Sequence, residues 1–503
     1  MKRILAFALL FVMCIGVFAM TGCDRQQASA QPPVGENPGE QGTQGEVQTD
    51  EQGNTQQPTP QPVAYDVPSV GYDGSEVTIT FSHTMNATYQ GVLDKYIAKF
   101  NELYPNITVE HAQVGGYDEV RDQIKTELTA GNQPNIAYCY PDHVALYNVA
   151  KAVVPLNSFI DSTIEVTDAQ GNKTVLGLTA EQIADFIPGY YAEGAVFDNA
   201  GTMYTMPMSK STEVLYYNKT FFDANGLTVP TTWDEMKALC KKILEIDPDC
   251  IPLGYDSEAN WFITMCEQYG SPYTSAQRGK YFLFNNDQNK AFVKEFRSWY
   301  EAGYLTTQEL YGGYTSGLFT ELTDKNSYMS IGSTGGSMHQ RPEATDDGYA
   351  FEVGIAPIPQ VNPDAPKAIS QGPSLCIFES DNKQEVVASW LFVKFLTTDP
   401  AFQAEFSMTS GYMPVIKSVE NVPAYKNFLD NADGGEHIQA LAVKVGREMS
   451  NMYFVSPAFN GSSVARDKVG VLMQYCFVTP ADDVDAMIDK AFKDAIVECN
   501  NAQ

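Results

Sequence analysis

The stretch Val77-Thr-Ile-Thr-Phe-Ser-His-Thr-Met-Asn86 opens the part of the chain that folds. Residues 77–81 are β-branched and aromatic, which predicts a strand. Polar residues then make a loop, and Tyr89, Val92, Tyr96, Phe100 and Leu103 recur at helical spacing until Pro105. The alternation repeats: residues 107–109 read as a second strand, and Tyr117, Val120, Ile124 and Leu128 as a second helix closed by Gly131. Residues 136–140 read as a third strand, followed by a helix over 142–150. Strands alternating with helices at this spacing imply an α/β fold with a largely parallel sheet.

Downstream, Thr232-Trp-Asp-Glu235 is a capping box, with Met236, Leu239, Ile243 and Leu244 along one helical face. Helices are expected at 289–302, 384–397 and 483–498, and short strands at 202–208, 213–217, 328–331, 352–357 and 374–378.

Upstream, Lys2-Arg3 precedes an apolar run over 4–20, the pattern of a secretion signal. The run falls slightly short of the 18 to 20 apolar residues of a membrane-spanning anchor. Met20-Thr-Gly-Cys23 resembles the lipobox of bacterial lipoproteins, with Met20 in place of the usual leucine, and implies lipidation at Cys23. From Asp24 to Pro62 there are ten Gln, six Pro and five Gly and no Ile, Leu, Phe, Tyr or Trp, so a flexible tether is expected.

The 503 residues carry 32 Lys+Arg against 62 Asp+Glu, a net charge of -30. The first 22 residues hold two positive charges, and residues 24–70 hold seven acids and one arginine, so -26 belongs to residues 71–503. Such a body repels phosphate backbones and anionic lipid, which excludes nucleic-acid binding and basic membrane-surface binding as primary functions. A hydrophobic fraction of 44% is ample for a large core. Beyond Cys14 and Cys23, seven cysteines remain without a CxxC spacing, which reads as buried free thiols, with a Cys240–Cys250 bridge as the alternative.

No P-loop, GxSxG or HExxH motif is present, and the five histidines are isolated. No catalytic residue, metal or cofactor is implied. Polar and aromatic residues gather where predicted strands end: Ser82 and His83, Tyr140 and Asp142, and residues 209–212. In open α/β sheets, ligands sit beyond the carboxyl ends of strands. Capping the core with a wet hydroxyl is the commoner role of any single tyrosine, and it is the meeting of several at strand ends that points to a site.

The segment Gly201-Thr-Met-Tyr-Thr-Met-Pro-Met-Ser-Lys-Ser-Thr-Glu-Val-Leu-Tyr-Tyr-Asn-Lys219, followed by Gly226-Leu-Thr-Val-Pro-Thr-Thr-Trp-Asp-Glu235, resembles the signature of family 1 extracellular solute-binding proteins, the receptors of bacterial ABC importers. Val353-Gly-Ile-Ala-Pro-Ile-Pro359, Trp390-Leu-Phe-Val-Lys-Phe-Leu396 and Gly411-Tyr-Met-Pro414 match further along, in family order. The resemblance implies a two-lobed periplasmic-binding-protein-like fold of type II. Its parallel-rich sheets are flanked by helices, and three interlobe crossings fall near 208–212, 350–358 and 406–415. The division is then 1–22 signal peptide, 23–70 lipidated cysteine and linker, 76–210 plus 357–405 one lobe, and 211–352 plus 412–503 the other.

Within the family, Phe81-Ser-His-Thr-Met85, Gly116-Tyr117, Gly335-Gly-Ser337, Gly372-Pro-Ser-Leu375, Gly411-Tyr412 and Arg466 look most like the subgroup that binds glycerol 3-phosphate and its diesters. That resemblance implies ligand contacts from Tyr117, Ser211, backbone at Gly372, Tyr412 and Arg466. Pro141 and Asp142 depart from the subgroup, which has an acid directly after the third strand. Tyr117, Tyr140, Trp261 and Tyr412 are candidates to stack on a sugar, Trp261 being equally a core residue. Arg466, Ser211 and Ser337 are the candidates to hold a phosphoester. The implied function is a lipid-anchored receptor on the extracellular face of the bacterial cytoplasmic membrane. It captures a sugar or related polyol, glycerol phosphates and glycerophosphodiesters included, by hinge closure and delivers it to ABC permease subunits. The alternative is a surface-tethered glycoside hydrolase with a carboxylate pair. The acidity of the body favours a neutral sugar over a phosphate monoester.

Overall fold

The computed structural model describes residues 60–321 and 326–502, so the expected signal segment, Cys23 and the linker up to residue 59 lie outside the described residues. The chain from residue 60 onward packs as one unit containing two five-stranded sheets.

The first sheet has the spatial order Ile107–Gln113, Val77–His83, Ile136–Cys139, Ser374–Ile377, Met206–Pro207. The first three strands run parallel, as the strand-helix alternation requires, and Ser374–Ile377 pairs antiparallel to both of its neighbours. Helices flank it. In the helix Ala87–Leu103 the Asn86 carboxamide oxygen accepts from the N–H groups of Thr88 (3.0 Å) and Tyr89 (3.2 Å), and Leu93, Tyr96 and Phe100 point into the core. The helix Lys383–Thr398 buries Trp390, whose indole N–H donates to the Leu176 carbonyl at 2.8 Å.

The second sheet has the order Val353–Pro357, Glu213–Asn218, Met329–Ser333, Leu253–Tyr255, Leu305–Thr307. Glu213–Asn218 is antiparallel to both neighbours, and the last three strands are mutually parallel. The capping box at Thr232 forms as its spacing dictates: the Glu235 N–H donates to Thr232 Oγ1, and Glu235 Oε2 accepts from the Thr232 N–H, both at 3.2 Å. That helix, Trp233–Ile246, covers a core of Trp233, Trp261, Phe262, Phe296 and Trp299. The seven described cysteines are buried free thiols, Cys240 and Cys250 among them.

Two boundaries differ from expectation. The linker expected to reach residue 70 ends earlier, because Tyr65 is buried against Phe159, with ring centroids 5.3 Å apart. Its N–H donates to Ser158 Oγ at 2.9 Å. The crossing expected at 350–358 lies later. Val353–Pro357 is the edge of the second sheet, Ile358, Ala368 and Ile369 stay in that sheet's core, and the chain rejoins the first sheet only at Ser374.

The crossing segments therefore meet at residues 209–212, 370–373 and 411–413. Lys210 exchanges backbone hydrogen bonds with Met413 (2.9 and 2.6 Å), and Ser211 exchanges them with Gln371 (both 2.9 Å). Side chains lock the ribbon. The Lys210 ammonium, 1% exposed, pairs with the buried Glu193 carboxylate, whose other oxygen accepts from the Ser370 hydroxyl at 2.6 Å. Gly372 permits the close approach. It sits at φ +97°, and a Cβ there would lie 2.5 Å from the Ser209 carbonyl oxygen and 2.7 Å from Lys210 Cα.

Gly372→Ala is accordingly expected to destabilise the protein by roughly 3 kcal/mol or more in chemical denaturation, combining left-handed strain with backbone overlap. Gly131→Ala serves as the control, because Gly131 is also left-handed but faces open space, and strain alone costs about 1–2 kcal/mol. Equal losses in the two variants would contradict close packing at the crossing.

Candidate functional site

The carboxyl ends of the parallel strands in both sheets face one cleft of about 950 Å³. Val77–His83 leads into Thr84, Met85 and Asn86, Ile107–Gln113 into the Gly115–Tyr117 turn, and Ile136–Cys139 into Tyr140; all of these line the cleft. From the other side, Leu253–Tyr255 leads into residues 256–260 and Leu305–Thr307 into Gln308 and Glu309. The crossing segments contribute Ser211, Gln371 and Tyr412.

Of the expected site residues, the structure brings Tyr117, Tyr140, Ser211, Tyr412 and Arg466 together around this cleft. Tyr117 and Tyr140 have ring centroids 4.5 Å apart, and the Tyr117 and Tyr412 hydroxyl oxygens are 3.4 Å apart. Burial raises the Tyr117 hydroxyl well above its ordinary pKa and raises that of Tyr140 too, so both stay neutral donors. Gly335 leaves room for the Tyr412 ring: a Cβ there would lie 2.6 Å from it. Arg466, on the helix Ser462–Val478, hydrogen-bonds the Asn260 carboxamide oxygen. Asp142 lies in a smaller side pocket that shares Tyr140, Gln371 and Arg466 with the cleft.

The remaining expected contacts fall elsewhere. Trp261 is fully buried in the second sheet's core, stacked on Tyr255 at 4.5 Å, because the helix Glu258–Tyr269 turns it inward while Glu258, Ala259 and Asn260 face the cleft. Ser82 and His83 are still strand, paired with Ala112 and Gln113, and the cleft begins at Thr84. Ser337 is buried under Gly411, while Ser333, Gly335 and Gly336 line the cleft. Gly372 belongs to the crossing rather than to the lining.

His83 nevertheless holds the cleft edge. The Met85 N–H donates to His83 Nδ1 at 3.1 Å, so the proton of the neutral ring sits on Nε2 and is donated to His111 Nδ1 at 2.9 Å. His111 then donates from Nε2 to Asp94 Oδ1 at 2.8 Å. Burial pushes the His83 pKa down to about 4, which keeps the His83 ring neutral.

Sequence reasoning missed the acids. Asp118, Glu119, Glu213, Asp256, Glu258 and Glu309 all line the cleft, and Asp467 joins them. Glu213 is 1% exposed, and burial pushes its pKa up to about 7 against hydrogen bonds from the Tyr255 hydroxyl (2.7 Å) and Asn260. Burial likewise pushes Asp256 up to about 6, against the N–H (2.7 Å) and hydroxyl (2.8 Å) of Thr315. Ser257, between Asp256 and Glu258, is left-handed at φ 74°, a strained position that sets the turn into Glu258. The available signal was Glu213, which lies inside the quoted signature segment.

Across the mouth, Arg121 of the helix Tyr117–Ala130 donates to Ser463 Oγ (3.0 Å) and Asp467 Oδ2 (3.1 Å) of the helix Ser462–Val478. Among the described residues there is no group of three His, Cys, Asp or Glu that could hold a metal ion, and no helix long and apolar enough to cross a membrane.

The chain is 24% identical to the sn-glycerol-3-phosphate-binding periplasmic protein UgpB of Escherichia coli (strain K12) over 381 residues, 71% of this chain and 79% of that one. In fold it is similar to UgpB from Mycobacterium tuberculosis in complex with glycerophosphocholine, with TM-score 0.66 and 18% identity, covering 85% of this chain and 98% of that one. It is similar also to the GacH receptor of Streptomyces glaucescens, solved unliganded and with acarbose, with TM-score 0.64 and 17% identity, covering 84% and 98%. These are two-lobed architectures, and this chain shares their fold. The family model for the bacterial extracellular solute-binding protein matches residues 95–431, about two thirds of the length, and the chain belongs to that family.

Proposed function

We propose that this receptor captures a neutral sugar or oligosaccharide in the cleft between its two sheets, closes over it by flexing the three crossing segments, and delivers it to the permease of an ABC importer. Residues 76–210 with the 374–405 segment form one lobe in this reading, and residues 211–369 with the chain beyond the last crossing form the other. Cys23 carries the lipid that holds the receptor at the outer face of a bacterial cytoplasmic membrane. No bond is made or broken. Two of the cleft carboxylates, Glu213 and Asp256, are already engaged by Tyr255 and Thr315, which suits fixed acceptors for hydroxyl groups better than a free nucleophile or acid.

The observation that carries this reading is the cleft's charge. Seven carboxylates line it against one lining arginine, which already serves Asn260; Arg121 at the mouth pairs with Asp118 and Asp467, which leaves the other five without an ion pair among the described residues. A phosphate dianion entering a partly desolvated site would meet net repulsion, whereas sugar hydroxyls donate to carboxylates and pyranose faces stack on Tyr117, Tyr140 and Tyr412. A thermal-shift screen over mono- and oligosaccharides, polyols, glycerol 3-phosphate and glycerophosphodiesters tests it. A neutral sugar at 100 times its Kd is expected to stabilise the protein by about 2.7 kcal/mol. Stabilisation by phosphate-bearing compounds alone would overturn the reading.

The raised acids give a pH signature with a definite sign. Glu213 holds its proton more tightly folded than unfolded, so its contribution to stability is complete below about pH 4 and is lost as pH rises through about 7. Unliganded stability is therefore expected to fall across this window by on the order of 3 kcal/mol from Glu213. Sugar affinity should rise across the same window, because ionised carboxylates accept hydroxyl protons. Glu213→Gln should flatten both profiles; a variant with unchanged slopes would contradict the assignment.

A further inference from the structure

Behind Tyr140, Gln371 and Arg466 the cleft opens into a side pocket of about 60 Å³. That is several times the 10–15 Å³ that one water requires and far below the main cleft, so it holds a small substituent and not a further ring. Its walls come from both halves of the protein. Asp142 arrives on the helix that follows the first sheet, Gln371 on a crossing segment, and Tyr273, Ser456 and Arg466 from the second sheet's side.

Three polar groups in these walls are buried without a hydrogen-bond partner: the Tyr273 hydroxyl, the Gln371 carboxamide nitrogen and the Ser456 hydroxyl. Tyr273 is 7% and Gln371 8% exposed. An orphaned buried polar group costs about 1–3 kcal/mol, and three of them belong to residues that wall this one pocket. Burial holds the Tyr273 hydroxyl well above its ordinary pKa, and it remains a neutral donor and acceptor.

The wall chemistry selects the guest. Gln371 and Arg466 donate, Asp142 accepts, Tyr273 and Ser456 can do either, and Ile263, Ile369 and Val455 supply apolar surface. A phosphate or carboxylate would face Asp142, and an ammonium would face Arg466. A hydroxymethyl group fits both sides of this lining: its methylene meets the apolar wall, and its hydroxyl donates to Asp142 and accepts from Gln371. We infer that the side pocket is a subsite for the exocyclic hydroxymethyl group of a hexose unit, so that the receptor prefers hexoses to the matching pentoses. This rests on the neutral-sugar reading of the cleft. Because both halves wall the pocket, filling it favours the closed arrangement.

Calorimetry with matched pairs tests it: glucose against xylose, galactose against L-arabinose, and cellotriose against xylotriose, which differ only in that group. In a pair that binds, the hexose member is expected to bind at least tenfold more tightly. In Tyr273→Phe, checked for an unchanged melting profile, the preference is expected to shrink below threefold with the pentose Kd unaltered; in Gln371→Leu, whose side chain also belongs to the main cleft, both Kd values are expected to rise, the hexose Kd by the larger factor, so that the preference again falls below threefold. Equal binding of both members, or a preference that survives both substitutions, would overturn the subsite and leave the pocket as a water site. Binding confined to glycerol 3-phosphate or its diesters would instead sink the neutral-sugar reading beneath it.

Discussion

The pairing of Lys210 with Glu193 inside the crossing ribbon is the contact on which the remaining architecture depends. Both groups are almost fully buried, and Ser370 satisfies the second carboxylate oxygen. Removing either partner would strand a buried charge, at a cost of about 3–5 kcal/mol. The pair ties residue 210 to the helical turn at 193 and the 370 segment, while backbone hydrogen bonds tie it to Met413. The three passages thus act as one element, and Ser211, Gln371 and Tyr412 inherit fixed positions at the cleft floor.

From that floor the cleft grows by a single rule, that parallel strands deliver their carboxyl ends to the same side. The first sheet's side contributes tyrosines, backbone and the acids Asp118 and Glu119, and the second contributes the other five carboxylates. The result is an aromatic wall facing an acidic one, with Arg121 spanning the mouth to Ser463 and Asp467. Relatives of similar fold were solved with a phosphodiester and with acarbose, a chemical range that a shared scaffold permits when the lining changes. In this chain the lining is rich in acid.

Much of the fold was legible because its signals are local. The 77–81 pattern, the Thr232 cap and the Gly131 stop each dictate structure within one turn, and each element formed within a residue or two of its expected bounds. The tyrosines at strand ends were legible for the same reason. Trp261, Ser82, His83 and Ser337 were not, since whether such a residue faces core or cleft depends on helix rotation or on the last paired residue, which only tertiary contacts fix. The helices Glu258–Tyr269 and Ser462–Val478 escaped notice because they are buried on much of their circumference and carry weak amphipathic periodicity. The cleft acids were invisible among 62 acidic residues until the sheets brought seven of them together.

The central claim, that the two halves close about the crossing ribbon on a neutral sugar, is tested most directly by small-angle X-ray scattering of the protein with and without the sugar that stabilises it most. The account predicts a larger radius of gyration for the unliganded protein and a decrease to a more compact form at saturation. Superimposable curves under saturating sugar would contradict it.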